Sequence, residues 1–400
     1  MDRERLRCIE FGAGVQYSLA LTGSDTDIPG RKEKVARMSI EYGMKDGVLL
    51  WVRSPFDGTV TYFNDIHRKP HAFRHLTNPQ HVASTPPPLA PRELQGETER
   101  VRNTCVFCPG NEAMTMEEVM RVTYGEMYDV TSIPSGFHAD DWAIRVIRNI
   151  IPRVPEECTG GKNESYVIIE DGRHFLPGAT GLSDLMWSGA LPAQHYFHVL
   201  RVAAEVVRRS TTNAAVKSVL IRKHQGRDSG ASQPHIHIQA IGADRVFPDV
   251  ERDMEVTARH PHLWQECVEL MRELGFHIEE GDGIASHWSP FGKFGRHFEV
   301  ISLQDWQPLP DIPDMRLRLF AQYTHRLLRA LGTAPHDLEI HHGEGIPLHL
   351  HLNARRYVYA NIGGTLNSPA DVAENVVPPI RDIVRLLARQ TAEEEQSWQC

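Results

Sequence analysis

The chain of 400 residues lacks the run of roughly 18–20 apolar residues that a membrane-spanning helix needs. Its formal net charge is only −9, so composition gives no general electrostatic case for binding nucleic acid or a membrane. The start, from Met1 to Arg7, is charged where a secretory signal would need an apolar run. Six cysteines are too few for a disulfide framework in a chain of this length. We therefore expect a reducing, cytoplasmic setting.

What is present is a composition that is 41% apolar, ample for a substantial core. Residues 1–45 form a poorly specified N-terminal segment. A strand hairpin is predicted at Gly47–Ser54 and Thr59–Asn64, because the connecting Pro-Phe-Asp-Gly is favourable turn chemistry. Residues 76–100, rich in proline, threonine and charge, are predicted to be a loop or linker, and 391–400 to be a solvated tail.

The second half of the chain contains a weak internal repeat. Helical spacing of apolar residues predicts helices over 193–210 and 314–331. Each is followed by a strand (216–222 and 337–342), then a loop, then a second strand with a His-x-His pattern. We interpret this as a duplication with halves at 46–245 and 246–390.

The first His-x-His strand carries the most specific chemical signal. Side chains alternate along a strand, so His235, His237 and Gln239 share one face. An imidazole can attack phosphorus, and an amide can donate a hydrogen bond to charged oxygens. A glutamine cannot supply a proton as a third histidine could, so the pattern favours group transfer over hydrolysis.

Cys105 and Cys108 form a Cys-x-x-Cys pair, followed by Pro-Gly-Asn-Glu at 109–112. Such a turn can hold zinc, but in a cytoplasmic chain it can also be redox-active or have no such role, and no second pair follows at zinc-finger spacing. Two distant histidines would have to complete a site. His174 and His235 are the candidates, although His174 could equally lie exposed in a turn.

Together these residues resemble the galactose-1-phosphate uridylyltransferase family of the histidine-triad superfamily, over about residues 47–375. Five segments are similar to family motifs: the hairpin turn at 53–58 with Arg68-Lys69-Pro70, the Cys105-x-x-Cys108 knuckle, Arg148-Asn149, Glu170–His174, and the loop and strand at 226–239. The resemblance implies an α+β fold of two related histidine-triad-like halves, with an antiparallel, half-barrel-like sheet flanked by helices. It also implies a homodimer.

The resemblance further assigns roles to individual residues. It implies a structural zinc on Cys105, Cys108, His174 and His235, with His237 as the nucleophile and Gln239 as its phosphate-binding partner. Ser232 and the backbone at Gly230 and Ala231 would donate to the phosphates. Further substrate contacts are expected from the residues Arg68, Asn149, Lys223, His224 and Arg227, with Arg222 adding positive charge.

One departure from the family pattern concerns position 224. His224 stands where the family often has asparagine, which alters the phosphate contacts or substitutes one donor for another.

His349 and His351 match histidines that bind a second metal in some members, with Asp253 and either His341 or His342 as partners. The alternative is a pair of hydrogen-bonded core histidines.

The predicted function is transfer of a nucleoside monophosphate from a nucleotide sugar to a sugar 1-phosphate or a similar acceptor, through a covalent nucleotidyl-histidine. A phosphorylase that uses inorganic phosphate on a nucleotide sugar or dinucleotide polyphosphate is one alternative. A nucleotide hydrolase of the histidine-triad type and a binding protein that has lost catalysis are two others. The sequence leaves the base and the sugar open.

Overall fold

The computed structural model describes residues 18–19, 40–45, 48–56, 60–62, 91–150, 152–181, 184–226, 229, 231–289, 291 and 297–354. The described residues fall into two compact units. The larger unit comprises those within 84–250 and 300–355, and the smaller one those within 1–83 and 251–299. The predictions for 1–17, 20–39, 76–90 and 391–400 lie outside the described residues.

The α-helices of the described part of the chain are α1 (Pro91–Thr104), α2 (Tyr124–Met127), α3 (Ala193–Thr211), α4 (Pro248–Arg259), α5 (Leu263–Leu274) and α6 (Asp314–Leu331). The strands are β1 (Ser18–Leu19), β2 (Ile40–Lys45), β3 (Val48–Arg53), β4 (Val60–Tyr62), β5 (Glu118–Thr123), β6 (Trp142–Arg148), β7 (Ser165–Ile169), β8 (Ser218–Gln225), β9 (His237–Ala243), β10 (His277–Gly281), β11 (Ile284–Ser289), β12 (His297–Ser302), β13 (His336–His341) and β14 (Leu348–Ala354).

An antiparallel sheet forms the centre of the larger unit. Its strands run in the order β14-β13-β8-β9-β7-β6-β5. Helix α3 packs on β7, β8 and β9, and α3 and α6 also pack against each other. The predicted α+β class, with an antiparallel sheet and flanking helices, is confirmed.

The helix-strand-strand repeat occurs at both predicted places. Helix α3 is followed by β8 and β9, and α6 by β13 and β14. Both helices lie within one residue of their predicted bounds, since their apolar stripes are long and regular. The two copies meet where β8 pairs with β13, and this pairing places His224 opposite Asp337.

The prediction of a loop over 76–100 is wrong for its last part, because α1 begins at Pro91. A proline at the first helical position costs nothing, since its missing N–H has no helical acceptor there. The glutamate, glutamine and arginine residues that follow are good helix formers. High charge here marks the exposed surface of a helix and does not indicate a linker.

The smaller unit contains the predicted hairpin. Strands β3 and β4 pair antiparallel, and β1 to β4 form one sheet in chain order. In the same unit α5 packs on the β10–β11 pair, and the ring centroids of Phe56 and Trp264 are 5.1 Å apart. Among the described residues, no helix has the length and apolarity to cross a membrane.

Two buried histidines make the stability of the fold depend on pH. His325 on α6 donates from Nε2 to the Leu191 carbonyl at 2.7 Å, and His336 on β13 donates from Nδ1 to the Ala334 carbonyl at 2.9 Å. Burial lowers the pKa of each to about 4. The unfolded chain, with histidine pKa values of about 6.5, therefore binds more protons below neutrality.

We predict that the free energy of unfolding falls as pH drops from about 6.5 toward 4. Each histidine contributes a slope of up to about 1.4 kcal/mol per pH unit. Urea denaturation at several pH values, compared with His325→Gln, measures it. Unfolding of the variant should take up close to one proton fewer than unfolding of the wild type over this pH range, so the slope should be smaller. An unchanged slope would show that His325 titrates alike in both states.

Candidate active site and metal centre

The cysteine pair lies in a tight turn directly after α1. The Cys108 amide donates to the Cys105 carbonyl at 3.1 Å, and the Asn111 amide donates to the Cys108 carbonyl at 3.1 Å. The Asn111 side chain reaches back and donates to the Arg102 and Cys105 carbonyls at 2.6 and 2.8 Å. Gly110 has φ +90°, a conformation that favours glycine. Asparagine and glycine thus hold the two thiols in place.

Four side chains from three separate segments converge on this turn. Cys105, Cys108, His174 and His235 are buried, and their ligand atoms all lie within 4.8 Å of one another. The Cys108 sulfur is 3.4 Å from His174 Nδ1 and 3.6 Å from His235 Nδ1. A tetrahedral zinc with bonds of about 2.3 Å to sulfur and about 2.1 Å to nitrogen would separate these atoms by about 3.6 Å. The group fits a metal ion.

The ring of His235 is oriented by a second contact. Its Nε2 lies 2.7 Å from the Asp171 carbonyl, which can only accept. The proton is therefore on Nε2, and Nδ1 presents its lone pair to the sulfurs of Cys105 and Cys108, each 3.6 Å away. Such a contact to the far nitrogen is typical of metal-bound histidines.

His237, the first residue of β9, is held by the same segment. Its Nδ1 lies 2.8 Å from the His235 carbonyl, so Nδ1 carries the proton and Nε2 keeps a lone pair. Burial lowers its pKa to about 4, so the ring is neutral at pH 7. The Phe107 ring packs edge-on at a centroid distance of 5.3 Å. The arrangement leaves one nitrogen suited to nucleophilic attack.

Strand pairing places Gln239 on the same face as His237. Gln239 lies opposite Val167 on β7 and opposite Arg222 on β8. Ile236 and Ile238 point to the other face; Ile236 packs there with Met186 and Leu191. The two isoleucines therefore belong to the core below the strand.

Lys223 also lies on the face opposite to His237, since it follows Arg222 on β8. It is 1% exposed, and its ammonium pairs with the Glu170 carboxylate. The other Glu170 oxygen accepts from Ser188 at 2.6 Å. The structure therefore separates Lys223 from Gln239 and gives it a buried ionic partner.

Arg222 and His224 lie on the same face as Gln239 and contact each other. Arg222 Nη2 is 2.7 Å from His224 Nε2, and His224 Nδ1 is 2.6 Å from Asp337 Oδ1. Glu339, opposite Arg222 on β13, approaches it to 4.0 Å. These polar side chains are half-buried or buried, and they extend the face toward the second copy of the repeat.

The remaining predicted substrate residues are spread around this face. Asn149 is buried at the end of β6, where its amide donates to the Ser165 carbonyl at 2.8 Å. Ser232 is exposed, and the Ala231 amide donates to the Gly226 carbonyl at 3.2 Å. Arg68, Arg227 and Gly230 lie outside the described residues.

Three histidines of the second copy cluster on β13 and β14. The ring centroids of His341, His349 and His351 are 4.8 to 5.0 Å apart in all three pairs. His341 lies directly opposite His349, so it faces the same side of the sheet. His342 faces the other side and is not part of this cluster. Asp253 is a buried residue of α4.

Several residues of the site were not predicted. Asp171 and Asp337 each orient a histidine, and Asn111 holds the cysteine turn. The partner of Asp337 is 113 residues away in sequence, so only strand pairing reveals it. Asn111, in contrast, directly follows Gly110 in the motif after the cysteines, and glycine next to asparagine indicates a tight turn in the sequence itself.

Comparisons with known proteins identify the fold. No protein-family model matches the chain, and no curated protein matches it. A structure of an ADP-glucose phosphorylase from Arabidopsis thaliana with bound ADP-glucose matches with a TM-score of 0.58 at 15% identity, covering 84% of this chain and 97% of that one.

Two further structures agree with this match. A galactose-1-phosphate-uridylyltransferase-like protein from Arabidopsis thaliana has a TM-score of 0.54 at 16% identity, covering 71% of this chain and 91% of that one. A uridylyltransferase has a TM-score of 0.52 at 15% identity, covering 69% and 99%. The predicted resemblance is thereby confirmed as a shared fold.

Removing one ligand from the buried Cys-His cluster tests its role. We predict that Cys108→Ser lowers the bound metal per chain, the melting temperature and the activity together, because the cluster joins α1 to the strand of His237. Metal analysis and thermal denaturation measure the first two. Cys158→Ser, a cysteine outside the cluster, is the matched control. Lost activity with unchanged metal content and melting temperature would contradict a structural role.

Proposed function

We propose that this protein is a nucleotidyltransferase that carries a nucleoside monophosphate covalently on His237. The observation that supports this most strongly is the hydrogen bond from His237 Nδ1 to the His235 carbonyl. It directs the basic Nε2 away from the backbone, on the sheet face that also holds Gln239. The fold shared with ADP-glucose phosphorylase and uridylyltransferases agrees with this chemistry.

In the first half-reaction, Nε2 of His237 attacks the α-phosphorus of a nucleotide sugar. A nitrogen–phosphorus bond forms, and the bond from that phosphorus to the bridging oxygen breaks. The leaving sugar 1-phosphate is already a stable anion, so a strong general acid is unnecessary. The phosphoryl oxygens need fixed donors instead, and the Gln239 amide together with Ser232 and the backbone at Gly230 is proposed to supply them. The Ala231 amide is left out, because it donates to the Gly226 carbonyl.

In the second half-reaction, the phosphate of an acceptor attacks the same phosphorus and releases His237. The acceptor is a sugar 1-phosphate in a transferase and inorganic phosphate in a phosphorylase. One of the similar structures is a phosphorylase with bound ADP-glucose, which favours inorganic phosphate as the second candidate. Gln239 opposes the alternative of hydrolysis, because an amide cannot act as an acid or base toward water.

Zinc is the proposed occupant of the cluster of Cys105, Cys108, His174 and His235. Four protein ligands would fill a tetrahedral ion and leave no position for water, so the ion would stabilise the fold and the strand of His237. His341, His349 and His351 are proposed as a second metal site, and we assign no step to it.

Further residues are proposed to contact the substrate. Asn149 would contact the nucleoside, and His224, Arg68 and Arg227 the phosphates. Lys223 is left out of this set, because its ammonium is buried against Glu170 on the other face. A homodimer in the cytoplasm is the proposed state of the protein.

A covalent adduct is the direct test of this function. We expect the wild-type protein, incubated with radiolabelled nucleotide sugars of several bases, to form an acid-labile nucleotidyl adduct at residue 237. It should persist until a sugar phosphate or inorganic phosphate is added. His237→Asn keeps a donor for the His235 carbonyl and should abolish the adduct, with turnover falling by roughly 1,000-fold or more. An adduct that forms equally on His237→Asn would contradict the proposal.

The role of Gln239 gives a second prediction. We predict that Gln239→His raises hydrolysis of the nucleotidyl intermediate by about tenfold or more, since an imidazole beside the phosphorus can assist water. Release of nucleoside monophosphate without an acceptor measures this. Gln239→Asn keeps an amide and is the control. Equal hydrolysis rates for both variants would show that the amide does not suppress reaction with water.

A further inference from the structure

A chain of three side chains links the two copies of the repeat beside His237. Asp337 on β13 contacts His224 on β8 at 2.6 Å, and His224 contacts Arg222 at 2.7 Å. The Asp337 side chain is 6% exposed, whereas those of His224 and Arg222 are 23% and 32% exposed. The carboxylate is thus the buried end of the chain and the guanidinium its more open end.

The chemistry of these groups fixes the proton on His224. A guanidinium has only donors, so His224 Nε2 must accept from Arg222 Nη2. The proton of the neutral ring is then on Nδ1 and is donated to Asp337. A change of tautomer would break both contacts at once, because two donors would face each other at Arg222 and two acceptors at Asp337. Asp337 therefore sets the tautomer that holds Arg222.

The position of Arg222 suggests what it binds. It lies opposite Gln239 on one side and opposite Glu339 on the other, in the middle of the sheet face. Glu339 approaches only to 4.0 Å, and among the described residues only one hydrogen bond of the guanidinium, from Nη2 to His224, is found; Nε is buried. A fixed guanidinium whose Nη groups keep further N–H donors is well suited to bind a phosphate.

We propose that Asp337 and His224 are positioning residues that hold Arg222 as the binding group for the phosphate that is not transferred. This phosphate belongs to the leaving sugar 1-phosphate in one half-reaction and to the acceptor in the other. The inference rests on the proposed function and adds a binding role for Arg222 and a positioning role for Asp337. Histidine in place of asparagine at 224 then serves to couple Arg222 to the second copy of the repeat.

Binding measurements separate the two phosphate sites. Affinities of inorganic phosphate, of a hexose 1-phosphate, and of UMP and AMP are measured by calorimetry. The proteins compared are the wild type and the variants R222K, D337A and D337N, with Glu344→Gln as a control for loss of a carboxylate after the same strand. Glu344 is exposed in the turn between β13 and β14.

We expect R222K and D337A to weaken phosphate or hexose 1-phosphate binding by roughly tenfold. The affinity of the nucleoside monophosphate should change less than about twofold. D337N should recover part of the loss, because an amide oxygen can still accept from His224 Nδ1. Whichever of the two phosphate compounds binds the wild type identifies the source of the phosphate.

Three results would overturn the inference: unchanged phosphate affinity in R222K and D337A, an equal loss of nucleoside monophosphate affinity, or no binding of either phosphate compound to the wild type. Failure of the proposed function is distinguished by the adduct at His237. If the wild-type protein forms the adduct and the variants bind phosphate normally, the transferase proposal stands and the role of Asp337 is wrong.

Discussion

One residue, His235, connects the buried Cys-His cluster to the candidate nucleophile His237 through three contacts. Its Nε2 donates to the Asp171 carbonyl, its Nδ1 faces the two sulfurs, and its own carbonyl accepts from His237 Nδ1. Because a carbonyl can only accept, the two carbonyl contacts fix the proton of His235 on Nε2 and that of His237 on Nδ1. The tautomer of His237 therefore depends on the backbone of a residue of the Cys-His cluster, and the tight cysteine turn at the end of α1 contacts the His235 ring.

The sheet face that carries His237 is apolar on one side of this residue and polar on the other. Apolar residues and the buried thiols lie toward β6 and β7, next to His237. The coupled groups of Arg222, His224 and Asp337 lie toward β13, where β8 and β13 pair. The pairing of β8 with β13 thus allows a carboxylate of the second helix-strand-strand copy to orient an imidazole of the first. The buried Lys223–Glu170 pair stiffens the opposite face, and its isolation from water makes any unpaired state costly.

Much of this arrangement could be predicted from the sequence, and the remainder depends on contacts between residues that are distant in the chain. Alternation along a strand correctly predicts that His237 and Gln239 share a face. It also places Lys223 and Arg222 on opposite faces, so positive charge alone does not assign a residue to the site. Long apolar stripes predict α3 and α6 almost to the residue. Asp337 could not be found, because its partnership depends on strand register across more than a hundred residues. The high charge of α1 does not indicate a linker, because its glutamate, glutamine and arginine residues are strong helix formers.

The most direct test of the account is the atom to which the nucleotide becomes attached. Phosphorus NMR of the protein labelled with nitrogen-15 in histidine, after reaction with a nucleotide sugar, can identify the nitrogen bonded to phosphorus. The account predicts a phosphoramidate on Nε2 of His237, since Nδ1 is committed to the His235 carbonyl. Attachment through Nδ1, or to any other residue, would contradict it.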